Sequence, residues 1–555
     1  MPRMTGKKAL FEILRAEGVR YVFGNPGTAE AAIMDTIPEY PEIKYVLAVQ
    51  EGVAAGMADG YARASGKPSF LSLHIHVGML NGLSLLFDSF SGNTPVVMTA
   101  GNSDIRKLTE GRADLTAFPK PITKWSAEVT HADQMASAVR RAFQEARTPP
   151  AGPTFLSFAA NALDDEGEAD IRPSVDHYYR ATPDRMAVEA ASKLLARAES
   201  PMMIVGDRVA LAGGVDAAVQ VAELIGAPVY LGTSSEVCFP TSHPQYAGGF
   251  SLRNPAAKKA LNSADVVLAV GVKVFGDFFY QGQSALPEKA LLIHIDSDAR
   301  EIGLTERTEV GIAADPGVAL AELAEALEAG AMSGSAMEAA RERARTLATQ
   351  AKARDEAFAA AVKKSGDSRP MTPARMMTEL GKALPPDAVL VDDSISSRGA
   401  LTGAIKFSKP GSMIGQRGGA IGWGMGGALG VKLARPDRPV VAVVGDGSAM
   451  MTVQGLWTAA SYGIPVVYLI CNNASYRILK VNMRIYHQLV LNDPTGLGHQ
   501  VGMDFTQPFD FARIAQAFGV AGERVEDPAR IGPAVRKALD TGKPAVIDVV
   551  IDGSL

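Results

Sequence analysis

Short apolar runs alternate with amphipathic helical stretches along the chain, and this alternation predicts parallel β-sheets flanked by helices. Up to about residue 185 the runs are YVFGNPG, YVLAVQE, PSFLSLHIH, PVVMTAG and PTFLSF. They continue with PMMIVGD, PVYLG, ADVVLAVGV and LLIHIDSD, and from about residue 368 with AVLVDDS, SMIGQ, VVAVVGDG, PVVYLICNN and PAVIDVVID. The pattern predicts an α/β fold with three doubly wound parallel-sheet domains.

Composition separates the three blocks of strands. A long helix rich in Ala, Glu and Arg is predicted at AMEAARERARTLATQAKARDEAFAAAVKK, and the polar stretch SGDSRPMTP follows it. We therefore expect domains at residues 1–185, 186–345 and 368–555, with residues 346–367 as a linker.

The bulk composition is that of an ordinary globular protein, with 47% hydrophobic and 21% charged residues. A net charge of −5 gives no electrostatic reason to expect nucleic acid or a membrane surface as partner. The first residues, MPRMTGKKALFEILRAEGV, lack the long apolar core of a signal peptide. Two cysteines, Cys238 and Cys471, fit a reducing compartment. We expect a cytoplasmic protein.

Two strand ends in the third block carry candidate metal chemistry. Asp446 ends the run VVAVVGDG, and Asn473 ends PVVYLICNN, so both side chains are predicted at the carboxyl edge of one sheet. Gly445 and Gly447 let the backbone turn sharply, and Ser448 offers a hydroxyl and an N–H. Carboxylate and amide oxygens suit Mg²⁺. Each half alone also fits a simple Asp-Gly turn or an unrelated Asn-Asn loop, whereas the pair indicates a cation held against a diphosphate.

A second glycine pattern is a weak match to a dinucleotide-binding motif. Gly422, Gly424 and Gly427 satisfy G-x-G-x-x-G, but they follow Arg417-Gly418-Gly419 rather than a strong strand. We expect these small residues to let a helix pack closely under a bound ring.

Glu51 ends the run YVLAVQE and directly precedes a predicted helix. Alone, a glutamate there is most simply a helix-terminal charge. Together with Gly445-Asp446-Gly447 and Asn472-Asn473, it makes the chain resemble the thiamine diphosphate-dependent enzymes of the pyruvate decarboxylase and acetolactate synthase superfamily. The segments FGNPGTAE, LAVQE, ADGYA, VVGDGSA and LWTAA are most similar to the benzoylformate decarboxylases.

This resemblance implies a cofactor site. The first domain would bind the pyrimidine of thiamine diphosphate, and the last domain its diphosphate. Asp446, Asn473 and the backbone carbonyl of Ser475 would bind Mg²⁺ or Ca²⁺. Ile421 would wedge beneath the cofactor, and the Gly419 carbonyl would accept from its aminopyrimidine. The full set of implied cofactor-binding residues is Asn25, Pro26, Glu51, Ser396, Gly419, Ile421, Asp446, Gly447, Ser448, Asn473, Ser475 and Tyr476.

The resemblance also implies an activity, the non-oxidative decarboxylation of a 2-oxo acid to an aldehyde and CO₂. Glu51, His74 and Thr28 would be its catalytic residues, with Glu51 activating the pyrimidine. Thr28 stands where benzoylformate decarboxylase has a serine, and Phe278 is the nearest match to its second histidine. A phenyl ring donates no proton. We therefore expect a substrate other than benzoylformate itself.

Two further features lie near this site in the sequence. His74 and His76 are two residues apart in FLSLHIHVG, so on a strand they would share one face, although no third metal ligand lies nearby. His74 matches a histidine of the family's active site, and the role of His76 stays open. The loop at residues 480–503 would cover the site or form a subunit contact.

Alternatives to a decarboxylase are a carboligase or 2-hydroxyacyl-CoA lyase, resembling acetolactate synthase, and a non-catalytic regulatory subunit. The retained Glu51, Asp446 and Asn473 argue against the last of these. The central block shows no convincing signature for FAD or CoA. Because family members place Glu51 of one chain against the diphosphate domain of another, the resemblance implies at least a homodimer, and a homotetramer is expected.

Overall fold

The computed structural model describes residues 1–107, 112–175, 180–232, 235–276, 278–279, 284–366 and 368–555. Within these residues the strands are β1 (Arg3–Thr5), β2 (Tyr21–Asn25), β3 (Lys44–Leu47), β4 (Ser69–Leu73), β5 (Val96–Asn102), β6 (Trp125–Val129), β7 (Thr154–Ala159), β8 (Glu166–Glu168), β9 (Pro201–Val205), β10 (Val229–Leu231), β11 (Tyr246–Gly249), β12 (Val266–Val270), β13 (Leu291–Asp296), β14 (Val310–Ala313), β15 (Val389–Asp393), β16 (Met413–Gly415), β17 (Val440–Gly445), β18 (Val466–Asn472), β19 (Ala521–Val525) and β20 (Ala545–Val550). The α-helices there are α1 (Gly6–Ala16), α2 (Ala31–Thr36), α3 (Glu51–Ser65), α4 (Val77–Ser91), α5 (Met135–Arg147), α6 (Ala160–Asp164), α7 (Arg185–Arg197), α8 (Asp207–Leu211), α9 (Val215–Ile225), α10 (Pro255–Ser263), α11 (Pro316–Ala326), α12 (Gly334–Lys364), α13 (Pro373–Ala383), α14 (Arg398–Ala404), α15 (Trp423–Ala434), α16 (Asp446–Met451), α17 (Gly455–Ser461), α18 (Arg477–Leu489), α19 (Phe511–Ala517) and α20 (Pro528–Asp540).

The first and last sheets have the same topology. Their strand orders are β3-β2-β4-β5-β7-β6 and β16-β15-β17-β18-β20-β19, and every neighbouring pair is parallel. In each, the order reverses between the first strand and the third, which is where open α/β sheets bind ligands at their carboxyl edge. The predicted parallel sheets are confirmed. Their switch points lie between β2 and β4 in the first sheet and between β15 and β17 in the last.

The central sheet has a different order, β11-β10-β9-β12-β13-β14, again with parallel neighbours. Arg208 follows β9 and donates from Nη2 to Asp296 Oδ2 at the end of β13, at 2.7 Å. Its Nη1 donates to Asn93 Oδ1 of the first domain at 3.2 Å. This buried guanidinium therefore ties the carboxyl edge of the central sheet to the domain before it.

Helices α3 and α15 join the first and last domains through glycines. A Cβ at Gly60 would lie 2.1 Å from the Gly427 carbonyl oxygen, and one at Gly430 would lie 2.0 Å from the Met57 carbonyl oxygen. No larger residue fits without moving a backbone. The glycine-rich helix packs closely against α3. Its expected place under a bound ring stays a prediction.

Helix α12 confirms the long helix predicted before the third domain, and it extends across residue 345. The divisions at residues 185, 345 and 367 stay predictions, and residue 367 lies outside the described residues. Among the described helices, none combines the length and the apolar character needed to cross a membrane.

Candidate active site

Asp446 lies at the switch point of the last sheet, where β17 ends and α16 begins. Its Oδ1 accepts from the N–H of Gly447 at 2.8 Å. Its Oδ2 is buried and has no hydrogen-bond partner among the described residues. Burial raises the pKa of Asp446 to about 6, against the opposing effect of nearby backbone N–H groups. A buried carboxylate oxygen without a partner is the group that a bound cation would satisfy.

Asn473 and Ser475 form a turn directly after β18. Asn473 Oδ1 accepts from the N–H of Ser475 at 3.0 Å, and Ala474 between them has a left-handed φ of 54°. The carbonyl of Ala474 accepts from the N–H of Phe505 at 2.8 Å, and the N–H of Tyr476 donates to the Met503 carbonyl at 2.8 Å. The turn that would supply two metal ligands is thus held by the chain returning at residues 503–505.

These residues fit a divalent cation of the Mg²⁺ or Ca²⁺ type. Asp446, Asn473 and a backbone carbonyl offer oxygen donors, which such hard ions prefer. No group of three His, Cys, Asp or Glu residues able to hold a metal occurs in the described part of the chain. A cation here would therefore need further oxygens, which water or a ligand such as a diphosphate would provide.

The segment between Tyr476 and Met503 begins with α18, so the loop expected at residues 480–503 is partly helical. Helix α18 packs against the 3₁₀ turn Ile395–Ser397, which contains Ser396. The ring of Tyr486 lies 6.2 Å from the ring of Phe279 in the central domain. This segment lies between the carboxyl edge of the last sheet and the central domain.

Asp393, at the end of β15, is a site residue that the sequence analysis missed. Its Oδ2 accepts from Ser448 Oγ, from the Gly422 N–H at 3.2 Å and from the Gly424 N–H at 2.9 Å. Burial raises the pKa of Asp393 to about 7. The sequence signal for it is the acidic pair in AVLVDDS. This pair ends a strand that lies beside β17, the strand that precedes Asp446.

The hydroxyl of Ser448 is hydrogen-bonded within the chain. Its hydroxyl donates to Asp393 and accepts from the Gly422 N–H at 2.7 Å. Because a hydroxyl carries one proton, this arrangement leaves none for a diphosphate oxygen. In this arrangement the Ser448 N–H is the donor that remains for a diphosphate, and the contact of Ser448 with a diphosphate stays a prediction.

The other residues predicted for the last domain lie around the same edge. Ser396 and Ile421 are half-buried, and Gly419 is exposed with a φ of 88°. A Cβ at Gly447 would lie 2.4 Å from the ring of Tyr476, so this glycine makes room for that ring. Their contacts with a cofactor stay predictions.

Glu51 is the first residue of α3, and it is 8% exposed. Asn25 Nδ2 donates to its Oε1 at 2.9 Å, and Asn81 Nδ2 donates to its Oε2 at 3.1 Å. Gln50 caps the helix, since its side chain accepts from the Val53 N–H at 2.9 Å. Glu51 is thus held by two side-chain amides from β2 and α4. Asn81 could not be assigned from sequence because it is 30 residues away, within another helix.

His74 is fixed by a buried glutamate. Its Nδ1 lies 3.0 Å from Glu30 Oε2, and Glu30 is 1% exposed. Glu30 also accepts from the N–H groups of Gly27 at 2.9 Å and Gly101 at 2.8 Å. With Nδ1 donating to Glu30, a neutral His74 ring presents Nε2 as an acceptor. Thr28, which is exposed, begins the same 3₁₀ turn (Thr28–Glu30).

One expectation at this edge is corrected. Strand β4 ends at Leu73, so His74 and His76 lie in a turn and not on one strand face. His76 has a φ of 51° and directly precedes α4. Phe278 is 90% exposed, and its ring packs against Phe279. The rest of that stretch, residues 277 and 280–283, lies outside the described residues.

The chain thus carries two groups of candidate residues. Glu51 and His74 lie at the carboxyl edge of the first sheet, and Asp446 and Asn473 lie at the carboxyl edge of the last. Among the described residues, no hydrogen bond joins Glu51 or His74 to Asp446 or Asn473.

Three models of one protein family match the chain. The N-terminal TPP binding domain of thiamine pyrophosphate enzymes matches residues 4–134, the central domain matches residues 188–323, and the C-terminal TPP binding domain matches residues 396–549. Thiamine pyrophosphate is another name for thiamine diphosphate.

Relatives match over nearly the full length. A benzoylformate decarboxylase from Pseudomonas aeruginosa is 31% identical over 98% of this chain and 98% of its own. A sulfoacetaldehyde acetyltransferase from Alcaligenes xylosoxydans xylosoxydans is 29% identical over 99% of this chain and 93% of its own. The solved thiamine diphosphate-dependent 4-hydroxybenzoylformate decarboxylase from Rhodococcus jostii RHA1 superposes with a TM-score of 0.85 at 28% identity, covering 99% of each chain. The chain belongs to the thiamine pyrophosphate enzyme family.

Proposed function

We propose that the protein is a thiamine diphosphate- and Mg²⁺-dependent decarboxylase that converts a 2-oxo acid into an aldehyde and CO₂. The observation that carries this proposal is the placement of Glu51 and His74 together at the carboxyl edge of one sheet, each held by a neighbouring polar side chain. An acid–base residue needs this kind of support, because its proton must be exchanged at a fixed position.

The residues of the last domain would hold the diphosphate end of the cofactor. Asp446, Asn473 and the Ser475 carbonyl would bind the metal. Gly447, Ser448 through its N–H, and Ser396 would contact the diphosphate. The residues toward the pyrimidine and thiazolium rings would be Asn25, Pro26, Glu51, Gly419, Ile421 and Tyr476. When bound, thiamine diphosphate supplies a carbon nucleophile and a ring that accepts the electron pair left by departing CO₂.

The protein's own part is to hold and move protons. Glu51 would share a proton with a pyrimidine nitrogen, and Asn25 and Asn81 keep both of its oxygens in place. His74, fixed through Nδ1 by Glu30, would use Nε2 to orient the substrate carboxylate and relay a proton. The Thr28 hydroxyl would be a second polar contact for substrate.

We infer a substrate other than benzoylformate from two departures. Thr28 adds a methyl group where the benzoylformate decarboxylases have a serine. Phe278, the nearest match to their second histidine, has no proton to donate and is 90% exposed. The later proton transfers must therefore use other groups than in those enzymes.

A substrate screen tests the proposed activity. The enzyme with thiamine diphosphate and Mg²⁺ is expected to release CO₂ and an aldehyde in equal amounts from at least one aromatic or aliphatic 2-oxo acid. Reactions without Mg²⁺ or without the cofactor are the controls. If the cofactor binds and no 2-oxo acid in a broad panel is consumed, with or without an acceptor, the proposal is wrong.

A carboligase or lyase is the second candidate. Two observations support it: the 29% identity to a sulfoacetaldehyde acetyltransferase, close to the 31% identity to a benzoylformate decarboxylase, and Phe278 at the nearest match to the second histidine of the latter enzymes. The same screen, repeated with acceptor aldehydes and acyl-CoA, separates the two. An aldehyde-dependent product formed without CO₂ would support the carboligase or lyase.

We propose that the working enzyme is at least a homodimer, and further a homotetramer, in which a second copy completes each site. Helix α4 exposes an apolar stripe of Val77, Leu80, Phe87 and Phe90, with exposed fractions of 66%, 44%, 38% and 40%. A stripe of this kind on a soluble protein marks an interaction surface. It begins beside His74, and Asn81 on the same helix holds Glu51.

The variant Leu80→Lys is expected to weaken self-association. A lysine buried in an apolar interface costs roughly 2 kcal/mol or more, so the dissociation constant should rise at least about 30-fold. Light scattering after size-exclusion chromatography at micromolar concentration measures the mass. Leu211→Lys, at a 49% exposed position on α8, is the matched control. A Leu80→Lys protein with the parent's mass at every dilution would rule out this face as the interface.

A further inference from the structure

A group of buried charges lies where the three domains meet. Arg63 comes from α3 of the first domain, Glu236 from the central domain, and Arg417 from the segment after β16 in the last domain. Their side chains are 1%, 10% and 5% exposed. The site proposed above uses none of these three residues.

Glu236 is bound by both arginines. Its Oε1 accepts from Arg63 Nε at 3.0 Å and from Arg63 Nη2 at 2.7 Å. The same oxygen accepts from Arg417 Nη2 at 3.1 Å. Ser235 adds a second bridge, because its Oγ accepts from Arg63 Nη2 at 2.9 Å and from Arg417 Nε at 2.6 Å.

A further acidic group, Asp207, helps to balance the two guanidinium charges. Asp207 accepts from the N–H groups of Ser235 and Glu236 at 2.8 and 3.0 Å, and it lies 3.6 Å from Arg417. Neighbouring Arg417 and Arg63 hold the pKa of Asp207 below its usual range despite its burial. Losing one member of such a group leaves a buried charge without compensation.

The network ends on the backbone that carries Gly419. The Gly415 carbonyl accepts from Arg63 Nη1 at 2.7 Å, and the Gly415 N–H donates to the Ser235 carbonyl at 2.7 Å. Arg417 also donates to the Gly92 carbonyl. Directly after Arg417, Gly418 and Gly419 have φ values of 66° and 88°. Glycine adopts many backbone conformations at little cost, so the hydrogen bonds of the neighbouring Gly415 and Arg417 set the position of this turn.

We propose that Glu236 is a positioning residue for the cofactor: through Arg417 it fixes the Gly418-Gly419 turn against the aminopyrimidine. This rests on the proposed function, in which the Gly419 carbonyl accepts from that ring. The diphosphate end depends on Asp446 and Asn473, which contact none of the three charged residues by a hydrogen bond in the described part of the chain. Loss of Glu236 should therefore weaken binding of the aminopyrimidine end of the cofactor and leave binding of its diphosphate end unchanged.

The test compares two ligands in the Glu236→Gln variant. With Mg²⁺ present, isothermal titration measures binding of thiamine diphosphate and of inorganic pyrophosphate. We expect affinity for thiamine diphosphate to fall about 10- to 100-fold, the range typical when a supporting partner of a binding residue is lost. Affinity for pyrophosphate should stay within about twofold of the parent value on the same reasoning. Glu309→Gln, which removes an exposed acid paired with Arg307 in the same domain, is the matched control.

Arg417→Lys is the second variant, for the case in which Glu236→Gln does not fold. A lysine keeps the charge but has one nitrogen in place of the three that bind Ser235, Gly92 and Glu236. The same selective loss of affinity is therefore expected. Equal losses for both ligands, or no loss for either, would overturn the inference. If the parent protein binds thiamine diphosphate no more tightly than pyrophosphate, the proposed function is wrong instead.

Discussion

Replacing Glu51 with glutamine is expected to lower kcat by about 10²- to 10⁴-fold, the usual contribution of a positioned acid–base group. Glutamine keeps the length of the side chain but cannot exchange a proton with a pyrimidine nitrogen. The loss should therefore appear in kcat, while the dissociation constant for thiamine diphosphate changes by only a few-fold.

Replacing Glu51 with glutamine also changes the hydrogen bonds around this side chain. Both of its oxygens accept from amide nitrogens, those of Asn25 and Asn81. A glutamine would turn one NH₂ toward an NH₂ donor, so one asparagine must rotate its amide to restore the bond. A small loss of thermal stability is expected for that reason, without loss of the fold.

Rates of CO₂ release and titration of the cofactor, measured on the same preparation, check both parts of this prediction. Glu42→Gln is the matched control, because the Glu42 side chain is 47% exposed and pairs only loosely with Arg15, at 3.8 Å. Full activity in Glu51→Gln would contradict the assignment of Glu51 as the acid–base residue. A loss confined to cofactor binding would give Glu51 a binding role instead.

Residues at strand ends were the part of the site that sequence could predict. Apolar runs mark the parallel strands, and the residue after each run must lie at the carboxyl edge of its sheet. Asp446, Asn473 and Glu51 were located in this way, and the structure places each at such an edge. The contacts of these residues with a cofactor stay predictions.

The supporting residues could not be predicted, because their roles depend on packing between distant segments. Asn81 reaches Glu51 from α4, and Glu30 reaches His74 across 44 residues of sequence. Asp393 follows a strand and could have been recognised, yet its bonds to Gly422 and Ser448 arise only when three elements converge.

Asp446→Asn is expected to lower the affinity for thiamine diphosphate in the presence of Mg²⁺ at least about 100-fold, or about 2.8 kcal/mol. Asp446 supplies the only charged group among the three expected metal ligands. An amide oxygen binds a divalent cation more weakly than a carboxylate does. The metal would offset the charge of the diphosphate beside Asp446, so both ligands should be lost together.

The same variant should not destabilise the protein without ligands. Asp446 Oδ2 is buried without a partner, and burial raises the pKa of this carboxyl to about 6, above its value in the unfolded chain. At pH 7 the carboxyl is ionised in both states, so its burial lowers the stability of the fold. A neutral asparagine of the same shape removes that cost. We therefore expect an unchanged or higher Tm for the ligand-free Asp446→Asn protein at pH 7.

Calorimetry on the ligand-free protein and titration with the cofactor and Mg²⁺ measure the two opposite effects. Asp504→Asn is the control, because Asp504 is 55% exposed and its backbone bridges to Ser475, directly beside the candidate metal site. A parallel loss of Tm and of cofactor affinity in Asp446→Asn would show that Asp446 supports the fold. A lower affinity with an unchanged or raised Tm assigns the carboxylate to ligand binding, since a residue selected for stability would not keep a buried oxygen unpaired.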